Sequence, residues 1–260
     1  MSGVLERGFQ VLERLSAHPG GCALSSLATE LKIPLSATHR LLAELIRLGY
    51  VRQSPGDGQY VLTIKLVSMG LSFLSSSGIV DIAQPLLDDL ALASGELVRL
   101  AVVDGDDLIF VAKSQGATKG LRYDPDMGLS VALSCSAAGH AWLSTMTDDD
   151  ALAMLAKKGL ALPQDHGPKA PTTLKAAMAC VAAARRRGFS MITEMFAPGM
   201  TAMAAPVYGD KRAAIGVVTI AGPLVRLTPE RMEALGPQLL LAADNVARAS
   251  GASQMFKKVA

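Results

Sequence analysis

The stretch "ELKIPLSATHRLLAELIRLGYVRQSPGDGQYVL", residues 30–62, decides the fold. Pro34 stands at a helix entry, where a proline is tolerated. From Leu35 the apolar periodicity is helical, with Thr38, Leu41, Leu42, Leu45 and Leu48 facing inward. Gly49 closes that helix. Residues 50–53 and 59–62 alternate as strands do. "SPGDG" between them reads as a hairpin loop in which Gly56 and Gly58 supply positive φ. Upstream, Val4, Leu5, Gly8, Val11, Leu12 and Leu15 form one helical stripe, which "HPGG" at 18–21 ends. A second helix starts at Leu24 and Ser25, with Ser25 as its N-cap and Leu27, Ala28 and Leu31 inward. Residues 4–62 therefore run helix, helix, helix, hairpin. That order is a winged helix-turn-helix.

The bulk composition sets bounds on everything else. The chain has 260 residues, half of them hydrophobic and 18% charged, enough for one large domain or two modest ones. Such a chain is not disordered. A net charge of +2 argues neither for nor against nucleic acid. Cys22, Cys135 and Cys180 are far apart and form no CxxC pair, so neither a zinc ribbon nor a disulfide scaffold is expected. A reducing cytoplasm is the expected compartment. Glu6, Arg7, Glu13 and Arg14 interrupt the N-terminal apolar pattern, so it is not read as a signal peptide. No run approaches the ~18 apolar residues of a membrane span.

Past the hairpin, residues 64–78 read as a linker helix that ends in "SSSG" at 75–78, a candidate hinge. Residues 79–93 are helical again, with Pro85 early or at a bend. Two β-rich runs at 97–103 and 108–113 are joined by "DGDD", and 121–123 is a third short strand candidate. Residues 136–144 are small and then helical. Residues 148–158 form a helix with acids first and lysines last, as the helix dipole favours. Residues 173–187 are another helix. Its "RRR" at 185–187 is read as a last turn before the stop at Gly188, in preference to a basic patch. Strands at 203–208 and 214–220 follow, and Thr228-Pro229 opens a terminal helix. The architecture is α+β: a winged helix-turn-helix at 1–63, a linker helix at 64–78, a second α/β domain at 79–250 and a tail at 251–260.

The residues also carry a resemblance. "VLERLSAHPGGCALSSLATELKIPLSATHRLLAELIRLGYVRQSPGDGQYVLTIKLVSMG" resembles the N-terminal winged helix of the IclR family of bacterial transcriptional regulators. "LAVVDGDDLIFVAKSQ", "DMGLSVALSCSAAGHAWLS", "FAPGMTAMAAPV" and "VVTIAGPLVRLTPERMEAL" follow in that family's order and spacing. The resemblance covers roughly residues 4–248. It implies a cytoplasmic regulator, a repressor in preference to an activator, that binds double-stranded operator DNA as a homodimer or homotetramer. It also implies a GAF-like second domain that binds a small effector, often a carboxylate or an aromatic catabolite. No cofactor or metal is implied.

DNA contact is expected from the N-terminal residues of the third helix, Ser36, Ala37, Thr38, His39 and Arg40, because those meet base edges in the major groove. Thr38 has a rival reading as a core residue. Ser25, Arg52 and Tyr60 are further candidates, and Arg7 stands where the family often has an arginine in its first helix. Arg47 reads as a solvated surface charge. Residues 1–62 carry six bases and five acids. One subunit alone should therefore bind weakly, and an inverted-repeat operator is expected.

For the effector, the resemblance points to "LSCSAAGHA" as one wall: Cys135 and Ser136, with Ala137 and Ala138 nearest the expected backbone amides. Ile192, Glu194, Met200 and Ala202 would form a second wall, Thr219 and Ala221 a third, and Leu121, Tyr123, Met127 and Leu129 one end. Members often have His where this chain has Ser134, Lys where it has His140, an acid where it has Ile192, and Cys and Ser where it has Ala202 and Ala221. Each change removes or alters a polar group, so a more apolar, more methionine-lined pocket and a larger, apolar or aromatic effector, such as an aromatic acid, are expected. Met203 is read as core. Two rivals stand beside this reading: a protein-interaction or sensing module without sequence-specific DNA binding, and a cysteine or serine enzyme using Cys135, Ser134 or Ser136 with His140. No G-x-S-x-G, metal-ligand cluster or phosphate loop supports the enzyme.

Overall fold

The computed structural model describes residues 3–125, 130–162, 164–209 and 213–250. They fall into two compact units, one ending at Ser76 and the other beginning at Ser77.

In the first unit, α1 (Val4–Ser16), α2 (Leu24–Glu30) and α3 (Leu35–Arg47) precede the two-stranded wing β1 (Val51–Gln53) and β2 (Tyr60–Leu62). Val11, Leu15, Leu27, Leu42, Leu45, Val51 and Tyr60 make one core. The wing is antiparallel, with Arg52 opposite Val61. Three local expectations need correction. Ser25 is not the N-cap of α2; Ala23 is, and Ser25 lies inside the helix and exposed. Gly58 alone has positive φ in the loop, at 69°, and Gly56 does not. The serines of "SSSG" continue α4 (Lys65–Ser77), and the break falls on Gly78, a left-handed residue with φ 67°. A single αL glycine is enough to stop a helix without a cap side chain.

The second unit begins with α5 (Ile79–Ser94). Its five-stranded antiparallel sheet has the order β4-β3-β7-β6-β5, with β3 (Leu97–Asp104), β4 (Asp107–Gln115), β5 (Ser190–Thr193), β6 (Met200–Tyr208) and β7 (Ala214–Pro223). Between β4 and β5 run α6 (Ala137–Leu143), α7 (Asp148–Lys158) and α8 (Leu174–Arg187); α9 (Pro229–Ser250) closes the described chain. Residues 121–123 are not a strand, and the short β5 was not anticipated. Thr173 and Thr147 cap α8 and α7, accepting from the amides of Ala176 and Asp150.

Strand alternation assigns the two faces. Val98, Leu100, Val102, Met203, Ile215, Val218 and Ile220 face one side and pack with α5 and α9. Ala101, Val103, Ala204, Val217 and Ile192 face the other and pack with α6, α7 and α8. Met203 is thus core, fully buried. The arginines at 185–187 are a helix end: Arg185 binds Asp148 and the carbonyls of Ser144 and Met146, and Gly188 is the left-handed stop. Met203→Ala should lower unfolding free energy by about 2–5 kcal/mol, read by urea denaturation. A loss below about 1 kcal/mol would mean that this face of the sheet repacks freely.

Candidate functional site

Two places in the molecule could carry function. The first is the solvent face of α3. Leu42, Leu45 and Thr38 anchor the helix in the core, and this rotation leaves Ser36, His39 and Arg40 exposed, with Ala37 half-buried. Arg40 has no carboxylate partner among the described residues. Arg52 and Gln53 are exposed on β1. Two of the expected DNA contacts do not stand. Thr38 is fully buried, and its hydroxyl donates to the carbonyls of Pro34 (3.2 Å) and Ile33 (3.5 Å), so it holds the helix entry and faces no groove. Tyr60 is buried in the core of the winged helix, because residue 60 of β2 points inward against Cys22 and Val51. Arg7 is half-buried on α1. Arg47 pairs with Glu44 at 2.9 Å along its own helix, a surface ion pair.

The second place is a cavity of about 110 Å³ in the second unit, on the α6 face of the sheet. Its floor follows from register. Ile192 on β5 lies opposite Ala202 on β6, and Ala202 lies opposite Ala221 on β7. In the next inward-facing row Ala204 pairs with Thr219, and Thr219 pairs with Arg99 on β3. The start of α6 covers this floor with Ser136, Ala137 and Ala138. Ser136 caps α6, its hydroxyl accepting from the Gly139 amide at 3.0 Å. Gly139 is required there, since a Cβ would sit 2.4 Å from the Leu133 carbonyl oxygen. Tyr123, Met200 and Phe196 line the rim.

Nine of the expected wall residues therefore meet at the cavity: Tyr123, Ser136, Ala137, Ala138, Ile192, Met200, Ala202, Thr219 and Ala221. Three do not. Leu121 is exposed, and only its carbonyl is engaged, by Arg226 at 2.9 Å. Cys135 turns away and packs with Ala161 and Ala170 in a separate buried cluster. Glu194, at φ 53°, folds back onto the Gly199 amide and pairs with Lys169 at 3.2 Å, contacts that hold its carboxyl below the usual range. Met127 and Leu129 lie outside the described residues. His140 is buried, with Nε2 2.9 Å from the Ser134 carbonyl.

The sequence reading missed Arg99 and Phe110. Arg99 is the one charged side chain lining the cavity among the described residues, and its guanidinium carbon lies 3.6 Å from the Phe110 ring centre. The clue was an arginine inside an otherwise apolar strand, "LVRLAVV". Cys135 is a poor nucleophile: it is fully buried, and burial pushes its thiol up to about 12.

Comparison with known proteins fixes the family. The IclR helix-turn-helix domain matches residues 4–55, and the bacterial transcriptional regulator IclR C-terminal domain matches residues 71–248. The chain belongs to the IclR family of bacterial transcriptional regulators. It is 32% identical over 252 residues to the acetate operon repressor of Salmonella typhimurium, covering 96% of this chain and 90% of that one. It is 32% identical over 249 residues to the transcriptional repressor IclR of Escherichia coli, covering 95% and 89%. Among solved structures, an IclR homolog from Microbacterium hydrocarbonoxydans complexed with 4-hydroxybenzoate superposes with a TM-score of 0.80 at 20% identity, covering 96% of this chain and 100% of that one. An IclR regulator from Alicyclobacillus acidocaldarius gives 0.82 at 20% identity, covering 96% and 100%. Both likenesses establish the fold. No single helix among the described residues is long and apolar enough to cross a membrane.

At pH 8 iodoacetamide should alkylate half-buried Cys180 well before buried Cys135. Equal rates in the native protein would show that Cys135 is accessible. Because burial lifts the folded Cys135 thiol from the usual 9.0 to about 12, the unfolded chain ionises first, and stability falls as pH rises through that interval.

Proposed function

We propose that this IclR-family chain is a cytoplasmic repressor that binds an inverted-repeat operator as a homodimer or homotetramer and is released by a small organic acid. The observation that carries the DNA reading is the exposed start of α3, where Ser36, His39 and Arg40 point outward from a helix anchored by Thr38 and Leu42. Helix N-terminal residues are the ones that reach base edges in this motif. Ser36 and Ala37 are small enough for close backbone approach, and Arg40 can fork onto a guanine or hold a phosphate. Exposed Arg52 and Ser25, and half-buried Arg7, are the further phosphate contacts of this reading.

A net charge of +1 over residues 1–62 favours two copies acting together. Self-association is further supported by apolar side chains that the first unit leaves uncovered, among them Val4, Leu5 and Phe9 on α1 and Val67, Met69 and Phe73 on α4. The repressor direction is supported by the relatives named for that activity. The effector reading is supported by the cavity and by the fold's likeness to a homolog that holds 4-hydroxybenzoate.

Operator DNA selected from a random pool should be an inverted repeat, with log affinity falling steeply against log salt. Arg40→Ala should weaken that binding by about tenfold or more in gel shift. Unchanged affinity would remove Arg40 from the interface, and salt-independent binding would favour a protein-contacting winged helix.

A further inference from the structure

The cavity holds one positive charge, on Arg99, that has no ion-pair partner among the described residues. Arg99 stands in the middle of β3 between the buried residues Val98 and Leu100. Its Nε has no hydrogen-bond partner. One face of the guanidinium is stacked on Phe110. Asp124, the acid whose field reaches Arg99, is bonded to Lys113 Nζ at 2.6 Å. No acidic side chain lines the cavity among the described residues. Burial pulls the Arg99 pKa below its ordinary value, yet a guanidinium stays protonated at neutral pH. Arg99 is half-buried with its Nε out of contact with solvent, and a partly desolvated cation with no carboxylate in hydrogen-bond reach is only partly compensated. The planar fork of arginine matches a carboxylate bidentately.

We propose that Arg99 is the carboxylate receptor of the cavity and that it selects a monoanionic acid with a small apolar body, one aromatic ring at most. This rests on reading the cavity as the effector site. The charge count sets the class. A second carboxylate on the ligand has no second cation to meet among the described lining residues. An α-ammonium group needs an acidic partner, which the described walls lack. The remaining walls, Ile192, Met200, Ala202 and Phe196, suit an apolar body. The volume of about 110 Å³ is of the same order as the ~150 Å³ apolar cavity that takes benzene, which suits a body of about one ring. Thr219 is less suited to the acid: its hydroxyl already leans on the Arg99 carbonyl at 3.5 Å.

Calorimetry on the full chain with benzoate, benzamide, phenylalanine and phthalate tests this. Wild type should bind benzoate about ten- to a hundredfold more tightly than benzamide, its neutral isostere. Phenylalanine and phthalate should bind at least about tenfold more weakly than benzoate. Arg99→Gln should lose the preference for benzoate over benzamide. Arg99→Lys keeps the charge but not the fork; it should weaken benzoate and leave benzamide unchanged, and it serves if Arg99→Gln does not fold. Ala138→Trp, which fills the cavity, separates the two readings. If it blocks benzoate while the Arg99 variants bind benzoate like wild type, the cavity stands and the role of Arg99 is overturned. If it leaves benzoate binding intact, the cavity reading falls. A wild type that binds none of the four probes, or prefers phthalate or phenylalanine, overturns the proposal.

Discussion

The second unit depends on burying both faces of one antiparallel sheet. Antiparallel sheets commonly leave one face in water. Here every residue of β7 is buried, because α5 and α9 cover one side and α6, α7 and α8 the other. The two sides are filled differently. Large side chains, Leu100, Met203, Ile215 and Ile220, fill the α5–α9 side. On the α6 side Ala202 and Ala221 face Ala137 and Ala138, and the four alanines leave space between sheet and helix. Helix α6 cannot sink to fill it, since Gly139 already rests against the Leu133 backbone. The cavity is therefore a consequence of small residues on rigid elements, which is how a binding site keeps its shape before the ligand arrives.

A second set of contacts holds the rim of the same layer. Glu96 is almost wholly buried and receives both arms of the Arg226 fork, at 2.6 and 2.7 Å. Arg226 also reaches the Leu121 carbonyl, and Arg231 donates to the Ser94 carbonyl at 2.6 Å. These bonds tie the end of α5, the start of β3, the loop before the cavity and the entry to α9. Gly222 makes the approach possible, for a Cβ there would lie 2.4 Å from the Glu96 carboxylate. The contrast with Arg99 is informative. Arg226 has its carboxylate within the chain, whereas Arg99, on β3 next to the β4 edge, has an aromatic ring against it and no carboxylate in hydrogen-bond reach.

Much of this was legible in the sequence because it follows local periodicity. Leu42 and Leu45 fixed the face of α3, the acids and lysines of α7 fixed its direction, and Thr228-Pro229 fixed the start of α9. The misreadings occurred where local rules compete or do not reach. Ser25 is a good cap residue, but the neighbouring Ala23 takes the cap position because Leu24 already belongs to the helix. Tyr60 is a polar-tipped side chain on a strand too short for alternation to reveal its buried face. Cys135 sits next to Ser136, which lines the cavity, but the turn into α6 sends the two side chains in different directions. Arg99 stands out as a charge in an apolar strand, but its partnership with Phe110 at the cavity was missed for another reason. The β3–β4 hairpin brings Phe110 beside Arg99, but the cavity also needs Arg99 beside Thr219, 120 residues apart, and register over that separation leaves no mark on either segment.

On the proposed reading, ligand and operator communicate as a coupling free energy, so the acid releases DNA only to the extent that it prefers the state that binds DNA poorly. The low charge of the first unit makes a modest preference sufficient. With one net positive charge per winged helix, phosphate attraction contributes little per copy, and specific binding rests on two α3 helices meeting two half-sites at once. Losing that simultaneity forfeits the avidity gained by linking two weak sites, a factor of about 10²–10⁴. A shift worth ~1–3 kcal/mol, the ordinary size of an allosteric coupling, then covers much of the range between bound and released. A strongly basic winged helix would resist the same shift, because each copy would hold DNA on its own.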